Sequence, residues 1–112
     1  MRSAVLSLCA LSIMTLPAMS QTLPRLDPEG SCRAEWTKGG VVDNQMVAYC
    51  LRNEQSAYNN LKTLWPTYSD NVRAVCSSEW GTLPKGTYSM LQYCTKNQVE
   101  AERSNSGGSF KW

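Results

Sequence analysis

The chain has 112 residues, with 11 basic and 9 acidic side chains, five cysteines and no histidine. Its net charge of +2 gives no electrostatic reason to expect nucleic acid or an anionic membrane as a partner. The lack of histidine removes the usual general base near neutral pH and the usual metal ligand, which disfavours most catalytic and metal-binding classes. The length allows one small domain.

The first twenty residues have the pattern of a secretory signal peptide. Arg2 supplies a positive start, a mostly apolar run follows it, and Ala-Met-Ser at 18–20 fits the small-x-small pattern before a cleavage site. The sequence therefore predicts a signal peptide over 1–20 and a mature start at Gln21. The apolar run is too short for a membrane span, so no stable membrane insertion is expected after cleavage. Cleavage leaves 92 residues, four cysteines and a net charge of +1.

Helical signals begin after residues 21–27, which are predicted to form a flexible leader. Asp27 is a good N-cap and Pro28 suits the first helical position, so a short helix is predicted from Pro28 to Trp36. Gly39-Gly40 ends it. The β-branched pair at 41–42 is the only hint of a strand.

A longer helix is predicted from Asn44 to about Leu64, because Pro66 disfavours helical geometry in the residue before it. Apolar and small residues recur there at steps of three and four, which is typical of a buried stripe. This predicted stripe consists of Met46, Tyr49, Cys50, Asn53, Ala57, Leu61 and Trp65.

Two further helices are predicted in the second half. Ser69 or Asp70 caps the third helix and Gly81 ends it, and Thr87 caps the fourth after a loop. The expected buried face of the fourth helix is Met90, Leu91, Tyr93, Cys94, Asn97 and Ala101. A flexible tail over 104–112 is predicted from its Gly/Ser-rich composition.

The segment Cys32–Ala57 recurs as Cys76–Ala101 at a constant offset of 44 residues. The eight identical pairs are Cys32/Cys76, Glu35/Glu79, Trp36/Trp80, Met46/Met90, Tyr49/Tyr93, Cys50/Cys94, Asn53/Asn97 and Ala57/Ala101. Each copy would hold a short helix, a loop and a longer helix. We therefore expect an all-α fold over 28–103, built as two tandem disulfide-stapled helical hairpins packed as a small four-helix unit.

Four mature cysteines behind an export signal predict two disulfides in an oxidising compartment. The simplest pairing is Cys32–Cys50 with Cys76–Cys94, because it makes each copy self-contained. The alternative, Cys32–Cys76 with Cys50–Cys94, would link equivalent positions of the two copies and stays open at the level of sequence. Zinc is disfavoured because intervals of 18 residues do not match its usual close cysteine pairs.

Few residues are candidates for a functional site. Glu35 and Glu79 recur beside Trp36 and Trp80, so a pair of carboxylates acting on a glycan is one hypothesis. Helix capping or ion pairing is the favoured interpretation of these glutamates. The two tryptophans, one turn after a cysteine, are expected to cover the bridges.

Polar and aromatic side chains supply the remaining candidates. Asn53 and Asn97 are expected to tie their helices to a loop, because a buried amide needs hydrogen-bond partners. Tyr58, Tyr68 and Tyr88 fall outside the predicted stripes, and together they would mark a partner-binding patch if exposed. No catalytic residue, metal ligand or cofactor is predicted.

With C-x3-W and Y-C repeated in this order, the chain resembles small exported cysteine-rich proteins of Gram-negative bacteria. These proteins carry one or two units of the form C-x-x-x-W…M-x-x-Y-C-x-x-x-Q. The second copy has Gln98 at the final position, whereas the first has Glu54. Thr37 and Gly81 follow the tryptophans, where such proteins often have proline. The resemblance implies export, two bridges and helices, and it implies no activity.

These features predict a non-enzymatic periplasmic or secreted protein, an interaction or accessory factor that binds another envelope or extracellular protein. The alternative is an inhibitor or immunity-type protein against a secreted enzyme, which would present Gly39–Asn44 or Thr82–Gly86 as its binding loop. A third hypothesis is a glycan-acting enzyme that uses Glu35 and Glu79.

Overall fold

The computed structural model describes residues 22–108 and 110–111. The predicted signal peptide and the mature start at Gln21 lie outside these residues. The described part contains four α-helices, a 3₁₀ turn and one pair of short strands, which confirms the all-α fold of packed helices. In chain order the elements are α1 (Pro28–Glu35), β1 (Thr37–Lys38), β2 (Val41–Val42), α2 (Asn44–Leu64), the 3₁₀ turn (Trp65–Thr67), α3 (Asp70–Trp80) and α4 (Tyr88–Ser106).

Each α-helix begins at a polar side chain that accepts a hydrogen bond from an amide three residues later. The four caps are Asp27, Asp43, Ser69 and Thr87. These bonds satisfy backbone donors that have no partner inside the helix. The local sequence therefore determines where the helices begin.

The two strands form an antiparallel hairpin in the segment between α1 and α2, where the sequence predicts a loop. Thr37 pairs with Val42 and Lys38 with Val41. Gly39 and Gly40 make the two-residue turn with φ of +56° and +78°. A tight hairpin turn of this kind needs positive φ at both central residues, which glycine adopts without steric cost.

α4 lies at the centre of the packing, against both α2 and α3, while α1 packs on α2. The hydrophobic core fills the space between these helices. Its members are Leu26, Ala57, Leu61, Trp65, Val72, Cys76, Tyr88, Leu91 and Cys94. Trp65, from the 3₁₀ turn, is the largest fully buried side chain. The core thus joins the two halves of the chain.

Both disulfides join a short helix to the long helix that follows it. Cys32–Cys50 links α1 to α2 with a Cα–Cα distance of 5.7 Å, and Cys76–Cys94 links α3 to α4 with 5.6 Å. The pairing within each copy is therefore confirmed, and the alternative between copies is excluded. Four bridged cysteines leave no free thiol among the described residues.

The buried stripe of α2 differs from the predicted one. Tyr49 is 53% exposed, and Asn53 is also exposed. The buried residues of α2 are Val47, Glu54, Ala57 and Leu61. α1 is only eight residues long and covers only part of α2, whereas the longer α4 packs against α2 more extensively. The line of residues facing α4 therefore becomes the core.

The same correction applies to α4. Tyr93 is 62% exposed, and Asn97 is exposed as well. The buried residues of this helix are Tyr88, Leu91, Cys94 and Thr95. The two asparagines therefore face solvent instead of tying a helix to a loop.

Residues 22–27, predicted as a flexible leader, pack against the core instead. The Leu26 side chain is buried, and its backbone N–H donates to the Tyr88 hydroxyl at 2.9 Å. The same hydroxyl donates to the carbonyl oxygen of Pro24 at 2.9 Å. One side chain thus satisfies a donor and an acceptor of the leader.

The last helix also extends further than predicted. α4 continues to Ser106, so residues 104–106 are helical and not part of a flexible tail. The hydroxyls of Ser104 and Ser106 donate to the carbonyl oxygens of Glu100 and Arg103 within the helix. The helix ends at Gly107.

Replacing Tyr88 by phenylalanine is expected to lower the free energy of unfolding by about 1–2 kcal/mol, because the Leu26 amide and the Pro24 carbonyl lose their partner. Urea unfolding followed by circular dichroism measures the loss, and amide exchange at Leu26 reports the leader directly. Tyr58→Phe is the control, since this ring lies 4.9 Å from that of Tyr88 but is only half-buried. Equal losses in the two variants would contradict the role of the Tyr88 hydroxyl.

Candidate functional site

The three tyrosines predicted to bind a partner do not form an exposed patch. Tyr88 is 4% exposed and belongs to the core. Tyr58 and Tyr68 are half-buried, packed against that core. The exposed tyrosines are Tyr49 and Tyr93, which the helical periodicity assigned to the interior. Residue spacing predicted the helices that carry these tyrosines, but it did not predict which face of each helix packs against the core.

A groove of about 940 Å³ lies between α4 and the segment that connects α2 to α3, and we call it the α4 groove. One wall consists of α4 side chains spaced three and four residues apart, among them Tyr93, Lys96 and Val99. The other wall comes from the end of α2 and the connection to α3, including Leu64 and Tyr68. Leu64 is 44% exposed, so both walls offer apolar surface to solvent.

Charges of both signs border the α4 groove. Lys96 and Arg103 lie along it together with Glu100 and Glu102. The Glu102 carboxylate accepts a hydrogen bond of 2.7 Å from the hydroxyl of Ser69, the N-cap of α3. Because the charges of the two signs balance, the groove has no electrostatic preference for a highly charged polymer as its ligand. Apolar side chains form part of both walls.

A smaller cleft of about 370 Å³ lies beside the first disulfide, and we call it the Trp36 cleft. Residues that are identical in the two copies supply more than half of its lining: Cys32, Glu35, Trp36, Tyr49, Cys50 and Asn53 from the first copy and Met90 from the second. The start of α4 closes the other side with Thr87, Ser89 and Met90. The first copy therefore gathers most of its repeated residues around one cavity.

Glu54 also lines this cleft, and its side chain connects α2 to the start of α4. Its side chain is 4% exposed, and the two carboxylate oxygens accept hydrogen bonds from the amides of Tyr88 at 2.8 Å and Ser89 at 3.0 Å. The Ser89 hydroxyl donates to the same carboxylate. These donors form the N-terminus of α4, where a negative group also complements the helix dipole. Glu54 is thus a cap supplied by a different helix.

Sequence reasoning missed the role of Glu54. Its one signal was the departure from the repeated unit, since Gln98 stands at the equivalent position of the second copy. A single extra carboxylate has no periodicity, and its partners are 34 and 35 residues away in the chain. The contact therefore becomes visible only in the folded protein.

Glu35 and Glu79 are not brought together in this cleft. The Glu35 carboxylate lines it, with Oε2 3.9 Å from the sulfur of Cys50. A disulfide sulfur carries no hydrogen, so this approach is a contact and not a hydrogen bond. Glu79 is not among the lining residues. The cleft therefore does not hold the Glu35 and Glu79 pair on which the glycan hypothesis was based.

The two repeated tryptophans have different surroundings. Trp36 is half-buried and lines the same cleft as Cys32 and Cys50. Trp80 packs against the core, and the ammonium of Lys85 lies 4.6 Å from the centroid of its ring. Each ring is therefore partly covered, and only that of Trp80 carries a cation in the described structure.

Residues 22–108 and 110–111 contain no group of three or more acidic, cysteine or histidine side chains placed to hold a metal ion. Within the same residues, no helix has the length and apolar character needed to cross a membrane.

No protein-family model, curated protein or solved structure matches this chain. The fold itself defines a class, which is a small all-α protein stabilised by two disulfides. Such bridges persist in oxidising compartments, so the protein is of the extracellular type and belongs outside the cytoplasm.

Proposed function

We propose that this protein is an exported, non-enzymatic interaction module that binds another envelope or extracellular protein through the α4 groove. The observation that carries the proposal is the exposure of Tyr93, 62%, and Leu64, 44%, on opposite walls of one groove. The signal-like N-terminus and the resemblance to exported bacterial proteins support a periplasmic or secreted location.

The composition of the α4 groove suits a protein partner. Tyrosine is enriched at the energetic centres of protein interfaces, because its large ring buries apolar area while its hydroxyl keeps a polar contact. Tyr93 and Leu64 provide such a centre, while Lys96 and Glu100 supply charges of both signs beside it. Mixed charges at a rim orient a partner more than they attract it.

The proposal of a non-enzymatic role rests on the available chemical groups. The chain has no histidine, and its four mature cysteines are bridged. Of the two glutamates considered for glycan chemistry, only Glu35 lines the Trp36 cleft. Glu54 is occupied by its hydrogen bonds to Tyr88 and Ser89.

Replacing Tyr93 by alanine is expected to weaken binding to the partner at least about tenfold, since the side chain is large, exposed and lines the groove. The assay captures partners from an envelope extract on oxidised protein and then measures the affinity of the purified pair. Thermal unfolding should be unchanged within about 2 °C, because Tyr93 is largely exposed.

Val41→Ser is the matched comparison, because Val41 is 72% exposed and lies in the hairpin, outside the α4 groove. The proposal expects full binding by this variant. Loss of binding in Val41→Ser together with full binding in Tyr93→Ala would contradict use of the groove.

That result would support the second candidate function, an inhibitor or immunity-type protein. The observation that favours it is the β1–β2 hairpin, which presents the exposed Val41 beside the Gly39-Gly40 turn. Inhibition of a secreted enzyme would then be lost in Val41→Ser at unchanged melting temperature.

A further inference from the structure

We propose that the Trp36 cleft is a second binding site, which takes the side chain of a lysine from a partner protein. The proposal does not depend on the α4 groove. It starts from an arrangement in the second copy, where the ammonium of Lys85 lies 4.6 Å from the centroid of the Trp80 ring. That distance is within the range of cation–π attraction, and tryptophan is the best aromatic acceptor. In the second copy, therefore, a lysine of the same chain already binds the repeated tryptophan in the way that we propose for a partner's lysine at Trp36.

The first copy lacks this internal cation. The position equivalent to Lys85 at the offset of 44 residues is Val41, an exposed residue of β2. Among the residues that the structure describes, no lysine or arginine lies over the ring of Trp36. Trp36 instead lines an open cleft. The same aromatic position is thus occupied by a lysine in one copy and accessible in the other.

A carboxylate lies beside the accessible ring. Glu35 lines the cleft, where its Oε2 is 3.9 Å from Cys50 Sγ, and it forms no ion pair within the described part of the chain. The second carboxylate of the cleft, Glu54, already accepts hydrogen bonds from the start of α4. Glu35 is therefore the anionic group that remains for a ligand.

The walls fit the rest of a lysine side chain. The disulfide, Trp36, Tyr49 and Met90 provide apolar surface for a four-carbon stem, and Glu35 and Asn53 provide acceptors for an ammonium group. A cavity of about 370 Å³ is at the small end of ligand sites, which suits one inserted side chain. Lysine is preferred to a neutral chain of equal length because only the ammonium satisfies both the ring and the carboxylate.

The test uses the oxidised, ¹⁵N-labelled protein and two probes, Nα-acetyl-lysine methylamide and Nα-acetyl-norleucine methylamide. The probes have similar stems and differ in the ammonium group. NMR titration follows the indole N–H signals of Trp36 and Trp80, assigned from tryptophan-to-phenylalanine variants. The Trp36 signal is expected to shift with the lysine probe at an apparent affinity at least about fivefold above that of norleucine. The Trp80 signal should not respond, because Lys85 already covers that ring.

Three variants sharpen the result, and two of them are a matched pair. Glu35→Gln should weaken the lysine response about fivefold, whereas Glu79→Gln, at the equivalent position of the second copy, should leave it unchanged. Lys85→Met removes the internal cation and should let the Trp80 signal respond to the lysine probe, with the Trp36 response retained. The proposal is overturned if both probes shift Trp36 equally, if Trp80 responds as strongly as Trp36 in the wild type, or if Glu79→Gln weakens binding as much as Glu35→Gln.

Discussion

Glu54→Ala is expected to lower the free energy of unfolding by about 3 kcal/mol, although the substitution removes no large apolar group. The carboxylate is buried and accepts hydrogen bonds from the Tyr88 amide, the Ser89 amide and the Ser89 hydroxyl. Alanine leaves the buried Tyr88 amide and the part-buried Ser89 donors without this acceptor, and an unsatisfied buried donor costs about 1–3 kcal/mol. It also removes a negative group from the N-terminus of α4.

Glu54→Gln removes the negative charge and one acceptor oxygen while it keeps the volume of the side chain, so it tests the hydrogen bonds apart from packing. Glutamine is nearly the same size but has one acceptor oxygen, so its NH₂ group would face a donor of Tyr88 or Ser89. We expect a loss of about 2 kcal/mol, measured by urea unfolding with circular dichroism. The result would also explain why the first copy has glutamate where the repeated unit ends in glutamine.

Gln98→Ala is the control, since Gln98 occupies the equivalent position of the second copy and is half-buried. It should cost less than about 1 kcal/mol. Similar losses for Gln98→Ala and Glu54→Ala would contradict the assignment of Glu54 as the cap that joins α2 to α4.

Removing the Cys76–Cys94 disulfide is expected to lower the free energy of unfolding more than removing the Cys32–Cys50 disulfide. Both bridges close loops of the same sequence separation, 18 residues, so loop-closure entropy predicts about 3 kcal/mol for each. Cys76 and Cys94, however, belong to the central hydrophobic cluster, whereas Cys32 lies outside it and Cys50 is half-buried. Cys76→Ala/Cys94→Ala should therefore lose about 1 kcal/mol more than Cys32→Ala/Cys50→Ala, from lost packing.

The equal loop lengths make the two double variants controls for each other. Urea unfolding, followed by circular dichroism at equal protein concentration, gives both free energies of unfolding. Equal losses would show that only the constraint on the unfolded chain matters, and a larger loss for the first bridge would contradict the description of the core.

Much of this fold follows from signals that act over a few residues. Asp27, Asp43, Ser69 and Thr87 begin the four helices, and each cap acts within three residues of its own position. Each disulfide joins two helices that are consecutive in the chain, which made Cys32–Cys50 with Cys76–Cys94 the simplest pairing, although the sequence left the pairing between copies open. Local chemistry therefore made the helices predictable, and the structure decided between the two disulfide pairings.

The candidate site was less predictable, because periodicity shows that a helix has a stripe but not which neighbour will cover it. Tyr49 and Tyr93 belong to the predicted stripes, yet they are exposed, since α2 and α4 bury other lines of residues against each other. Tyr88 lay outside the stripe and is buried, because its hydroxyl binds the leader at Pro24 and Leu26. Neither the exposure of Tyr49 and Tyr93 nor the burial of Tyr88 can be predicted from the residue spacing within a single helix.

By itself, then, the amino-acid sequence determined the helices and their starting points through local interactions, and it favoured the pairing of cysteines within each copy without excluding the pairing between copies. Only the tertiary structure decided which faces are buried, that Glu54 caps a helix of the other copy, and that Trp36 stays accessible while Lys85 covers Trp80. The physical reason is the range of the interactions. Caps and bridges act between near neighbours in the chain, whereas burial depends on surfaces that meet only when α4 packs against α2 and α3.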